Sequence, residues 1–140
     1  MNSMIRNSVA SVLLCAISSF AAAEVAVIVN PQNTDSISKE DIQKIYLAKV
    51  KAFPNGNIAI PVDQAEGSGS RVEFVAKVIE KDEAQLKSYW SRLIFTGKGV
   101  PPKILGNDKE VKELVSRNPD AIGFIDAGSV DQSVKVVGNY

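Results

Sequence analysis

The sequence has no histidine and only one cysteine among its 140 residues. Without imidazole or paired thiols, the commonest zinc and copper ligands and the usual general base are missing, so metalloenzyme and histidine-triad chemistry fall away at the outset. Cys15 has no second cysteine to pair with, so the fold has to be held by an apolar core without disulfides. Excess charge of one sign is also lacking: 16 Lys and Arg face 16 Asp and Glu, with no long run of either. That balance argues against nucleic acid as a partner. Beyond residue 23 there is no stretch of 18 or more apolar residues, so no membrane span is expected there.

What is present at the start of the chain has the layout of an export signal. Arg6 supplies a positive beginning, Val9 to Phe20 an apolar run too short to span a bilayer, and Ala21-Ala22-Ala23 a small-residue cleavage site. Cleavage is expected before Glu24, with the periplasm as destination in a Gram-negative cell. Cys15 follows Leu13-Leu14 and lacks the small residue that a lipid-attachment site wants before its cysteine. Residues 24–140 are then of a size for one domain.

Within that domain, "EVAVIVN" at 24–30 reads as a buried strand closed at Asn30-Pro31. Ser38, three residues before Asp41, should cap a helix that carries Ile42, Ile45 and Tyr46 on one face and stops near Ala48. "IAIPV" at 58–62 reads as a short strand whose Pro61 calls for a sheet edge or a strand end. A helical face of Val72, Val75, Ala76 and Ile79, widened by Phe74 and Val78, follows. Asp82 should cap the next helix, with Leu86, Tyr89, Trp90 and Leu93 recurring until Gly97 and Gly99 break the pattern. "TGKGVPPKILGND" reads as a loop, and Asn107 or Asp108 caps a helix with Val111, Leu114 and Val115 inward and Pro119 at its stop. "AIGFID" is a strand in which Gly123 implies a bulge or a close backbone approach. "SVKVV" is a last strand, and 138–140 a tail. The alternation predicts an α/β fold: a single three-layer-like domain with a mixed or parallel sheet flanked by helices.

Between strand and helix lies "DQAEGSGSRVEF", residues 63–74. Small residues opening a helix allow backbone N–H groups to converge on an anion, and Ser68 and Ser70 add hydroxyls while Gly67 and Gly69 permit close approach. The same residues also make a plain N-cap and turn, and local pattern does not choose between the two. The Walker spacing and its lysine are absent, as is a dinucleotide fingerprint.

Three ordered phrases, "IYLAKVKAFPNG", "IAIPVDQAEGSGSRVEF" and "NPDAIGFID", resemble the substrate-binding proteins of phosphate ABC transporters. In that family a phrase Arg-x-Asp-Gly-Ser-Gly-Thr follows a strand and opens a helix over the phosphate. The resemblance covers most of residues 25–137 and implies one lobe of a type 2 periplasmic binding protein, where the family builds two. It places Ser68, Gly69 and Ser70 on the phosphate, with Gly67 before them. Gln64 stands where the family has its anion-pairing arginine, and an amide donates without the charge-assisted fork of a guanidinium. Glu66 replaces an aspartate and is expected to orient the loop or Arg71, or to be an exposed acid. Arg71 would supply the missing charge by folding over the helix start, or stand in solvent; Asp63 would oppose an anion if it pointed inward.

These readings combine into an exported, non-enzymatic protein that binds phosphate or a similar oxyanion without a cofactor and serves phosphate uptake or sensing. A membrane transporter or another envelope protein is the expected partner, and a second copy of the chain is a further one, since one lobe leaves a half-site. The alternative is an envelope adaptor that kept the fold and lost tight ligand binding. A serine nucleophile would need a base beside it, and no motif places Lys77, Lys98 or Glu66 in that role.

Overall fold

Five consecutive apolar residues, Val25–Val29, form strand β1, and all five are buried. Such a run, lacking polar alternation, demands cover on both faces of a sheet and neighbours on both sides. The computed structural model of the chain describes residues 24–140, and there β1 has both. β4 (Ala121–Asp126) and β5 (Lys135–Asn139) flank it antiparallel. β2 (Ile60–Gln64) pairs parallel with β4, and β3 (Lys103–Leu105) pairs parallel with β2, so the five-stranded mixed sheet runs β3-β2-β4-β1-β5. The expected export signal and its cleavage site lie outside the described residues.

Helices α1 (Lys39–Tyr46), α2 (Gly69–Phe74) and α3 (Glu83–Phe95) cover one face, with the odd-numbered residues of β1, Val25, Val27 and Val29, in their core. Ala26 and Ile28 point the other way, toward Val111 and Val115 of α4 (Asp108–Arg117). The result is the expected three-layer α/β arrangement. Ser38 and Asp82 each close a reciprocal capping box, with Asp41 and Gln85, and Asn107 caps α4 through its side chain. Among the described residues, no helix is long and apolar enough to cross a membrane.

Gly123 of β4 is a close approach and not a bulge: a Cβ there would lie 2.6 Å from Val111 Cγ1. Pro61 sits at the second residue of β2, opposite Ile122, and β3 begins to pair only at Val62. Its missing N–H therefore interrupts no ladder with β3.

Four readings are corrected by the structure. "KIL" inside the expected loop is a strand, invisible to periodicity because it has three residues and one partner. Residues 138–140 are no tail, since β5 reaches Asn139 and Tyr140 exchanges two 3.0 Å backbone hydrogen bonds with Val25. Val72 and Ala76 face solvent, while Phe74, Val75, Val78 and Ile79 are buried. The cause is Phe74, whose ring stacks on Phe124 at 4.0 Å and packs against Tyr46, setting the rotation of α2, and the π-helical turn Val75–Ile79 continues it. In α3 only Leu86 is buried; Tyr89 and Trp90 are half-buried at the margin of the core.

Candidate functional site

β2, β3 and β4 run parallel and end on the same side of the sheet, where the residues following each of them meet. Carboxyl ends of parallel strands are the usual place for ligands in α/β folds, because loops and helix starts converge there. After β2 comes the loop 65–68, in which Gly67 takes φ +87°, a left-handed conformation suited to glycine. Ser68 N–H closes the turn on Ala65 O at 3.1 Å, and Ala65 N–H reaches Leu105 O of β3 at 3.0 Å. Ser68 is the N-cap of α2, its Oγ accepting from Arg71 N–H at 3.2 Å.

The sequence left open whether this loop is a cap or an anion cradle. Ser68 is a cap, and Ser70 does something different. Its Oγ donates to Asp108 Oδ1 at 2.7 Å. Gln64 Nε2 donates to the same oxygen at 2.7 Å, and Asp126 N–H donates to Asp108 Oδ2 at 3.2 Å. Donors from two segments, at and after the end of β2 and at the end of β4, thus converge on one carboxylate of the third, which follows β3. Asp108 is the first residue of α4, where a negative charge is also favoured by the helix dipole. The sequence marked Asp108 only as a possible cap; its role in the site has no local signal, because its partners lie 18 to 44 residues away.

Gln64, at the place of the family arginine in the phrase, is buried in the structure. Only 1% of it is exposed, its Nε2 also donates to Phe124 O at 2.8 Å, and its Oε1 accepts from Ser68 Oγ at 3.2 Å. It ties β2 to β4 beyond Pro61–Ile122, the last backbone-paired residues of those strands. Tyr46 does the same from the other face: its hydroxyl lies 2.9 Å from Val62 O and 3.1 Å from Ile122 O. Burial, with the charge of Asp63 nearby, pushes the Tyr46 phenol well above its ordinary range.

Arg71 neither stands in solvent nor folds over the helix start. Its side chain is 11% exposed and forks onto Glu83, Nε to Oε1 at 3.2 Å and Nη2 to Oε2 at 3.1 Å, while Nη1 holds Asp63. Burial alone would depress the guanidinium; the hydrogen bonds to Glu83 and Asp63 outweigh it and keep the group above its ordinary value. Asp63 is thereby neutralised and faces Arg71. Glu66 is exposed at the loop tip, and among the described residues its carboxylate makes no hydrogen bond or ion pair, so it orients neither the loop nor Arg71. Gly67 and Gly69 are exposed, with open space where a Cβ would stand. The amides of Gly69 and Ser70 belong to the first helical turn, where no intrahelical acceptor exists.

No family model matches the sequence. Among solved structures, the chain is similar to an ABC-type phosphate transport receptor from Vibrio cholerae, with 22% identity and a TM-score of 0.64 over 82% of this chain and 45% of that one. It is similar to a phosphate ABC transporter substrate-binding protein with bound phosphate from Clostridium perfringens, with 24% identity and a TM-score of 0.65 over 82% and 44%. A possible phosphate binding protein from Planctomyces limnophilus gives 17% and 0.59 over 82% and 40%. The chain therefore has the fold of somewhat less than half of these receptors, consistent with a single lobe.

Proposed function

We propose that this chain is an exported, non-enzymatic binding lobe whose cradle at Ser68, Gly69 and Ser70 takes phosphate or a similar oxyanion in exchange for the Asp108 carboxylate. The observation that carries the reading is the convergence of Ser70 Oγ, Gln64 Nε2 and Asp126 N–H on two carboxylate oxygens. Donors so arranged already hold an anion. Displacing Asp108 would offer the incoming oxyanion the Ser70 hydroxyl together with the Gly69 and Ser70 amides. Exchanging one anion for another gains only the difference between them, and Arg71 is held by Asp63 and Glu83 and adds nothing to it, so binding is weak. Release to a membrane partner in phosphate uptake or sensing is correspondingly easy. Likeness to phosphate receptors supports this assignment, and the signal-like pattern of residues 1–23 supports export to the periplasm.

A second reading, an envelope adaptor that kept the lobe and lost the ligand, is favoured by a different observation. Phe95 is 93% exposed and Val100 83%, next to the end of α3, so apolar side chains stand ready for another protein or a second copy. Calorimetry separates the two. Saturable heat with phosphate or sulfate, lost in Ser68→Ala/Ser70→Ala, supports the binding lobe; no heat in either the natural chain or Asp108→Asn leaves the adaptor.

A further inference from the structure

On the face of the sheet carrying α1 and α3, away from the loop at Ser68, lies a half-open cavity of about 230 Å³. Tyr46, Pro61, Trp90 and Pro102 give it apolar walls, and Lys51 and Lys98 also line it. Sites for drug-sized ligands run to about 300–1,000 Å³, so this one suits a single ring or a short branched chain. We infer that it is a second binding site, for a small monocarboxylate with an apolar body.

Three features of its construction carry the inference. First, the backbone at Lys98 is fixed by the end of α3: Gly97 N–H bonds to Ile94 O at 3.1 Å and Lys98 N–H to Leu93 O at 2.9 Å, the paired bonds of a Schellman motif, with Gly97 at φ +68°. Second, α1 ends the same way, Ala48 N–H on Ile45 O at 3.2 Å and Lys49 N–H on Lys44 O at 2.9 Å, although Ala48 at φ +57° is not glycine. Both helix ends present their turns to the cavity, and Gly99 keeps the gap between them: a Cβ there would stand 2.9 Å from Leu93 Cδ2 and 3.5 Å from Ala48 Cβ. Third, the two lysines have no carboxylate. Six ion pairs join basic and acidic groups among the described residues, and neither Lys51 nor Lys98 is in any of them. An apolar hollow edged by two cations without counter-ions is complementary to a ligand that is apolar at one end and anionic at the other. Bare phosphate would leave the walls wet, and a neutral hydrocarbon would leave the two exposed ammonium groups to water alone.

Trp90 is the only tryptophan and lines this cavity as well as a small crevice beside Phe74 and Leu86, so its emission reports on ligand here and the rim variant below assigns the signal to the cavity. Isovalerate, transparent in the tryptophan band, is titrated into the full chain with isovaleramide and phosphate as controls. The expected result is a saturable change with isovalerate, at least about tenfold weaker for the amide and in Lys51→Ala/Lys98→Ala. Val50→Phe, placed at a half-exposed rim position, fills the mouth and abolishes the change with the fold intact by circular dichroism. The inference is overturned by no saturation up to about 10 mM, by equal binding of acid and amide, by a signal that survives Val50→Phe, or by phosphate alone reproducing it. Ser68→Ala/Ser70→Ala is expected to leave the isovalerate signal unchanged, so the fate of this site is read independently of the cradle.

Discussion

Ser70 and Asp108 are 38 residues apart in sequence and 2.7 Å apart in space, the hydroxyl of one donating to the carboxylate of the other. In the proposed binding lobe, that contact fills the cradle with an anion of the protein's own. Asp108→Asn keeps an acceptor for Ser70 and removes the charge that a ligand must displace. Its expected effects are a gain of about tenfold in phosphate affinity by calorimetry and a loss of about 1 kcal/mol in stability from the weaker hydrogen bonds and helix start. Unchanged or weaker phosphate binding in this variant would contradict the exchange.

Arg71 joins β2 to α3 through Asp63 and Glu83. Arg71→Ala leaves Asp63 largely buried without its counter-charge and is expected to cost about 2 kcal/mol, less than the about 3–5 kcal/mol of a fully buried pair because Glu83 is partly in solvent. Arg71→Lys is expected to recover less than half of that, since an ammonium cannot fork onto both carboxylates. Urea denaturation of the two variants measures both.

The Tyr46 phenol is raised above its ordinary value of 10.0, so the folded state keeps its proton where the unfolded chain has lost it. Its contribution is fully present below about pH 10 and is lost as pH climbs through the folded value. Stability of the natural chain is therefore expected to fall above pH 10 more steeply than that of Tyr46→Phe. At neutral pH the same substitution costs about 1–2 kcal/mol, because the Val62 and Ile122 carbonyls lose their donor. Parallel alkaline slopes in thermal melts would refute the first expectation.

Gly123 packs against α4 so closely that an added methyl meets both Val111 and Val115, the latter at 3.2 Å. Gly123→Ala is expected to destabilise by about 1–3 kcal/mol. Pairing it with Val111→Ala should recover part of that loss, whereas Val111→Ala alone leaves a cavity; a double-variant cycle by chemical denaturation measures the coupling.

The caps were the most legible part of the chain. Ser38 and Asp82 declare their helices because each bonds to a residue three positions on, a distance that fits within any reading window. β1 was equally plain from its unbroken apolar run. β3 was not, since three residues with one parallel partner carry no period. The burial of Phe74 in place of Val72 was also hidden, because both fit a helical stripe and only the rings of Phe124 and Tyr46 choose between them.

Sequence alone determined the α/β class, the number of long helices and the loop that would open α2, all of which follow from contacts within about one helical turn or from unbroken apolar runs. Tertiary structure alone decided what that loop faces. The strand order β3-β2-β4 brings the ends of three parallel strands together, and only then can Asp108 meet Gln64 and Ser70, and Arg71 turn to Asp63 and Glu83. Such pairings join charges and donors from segments far apart in the chain, and no local spacing encodes them.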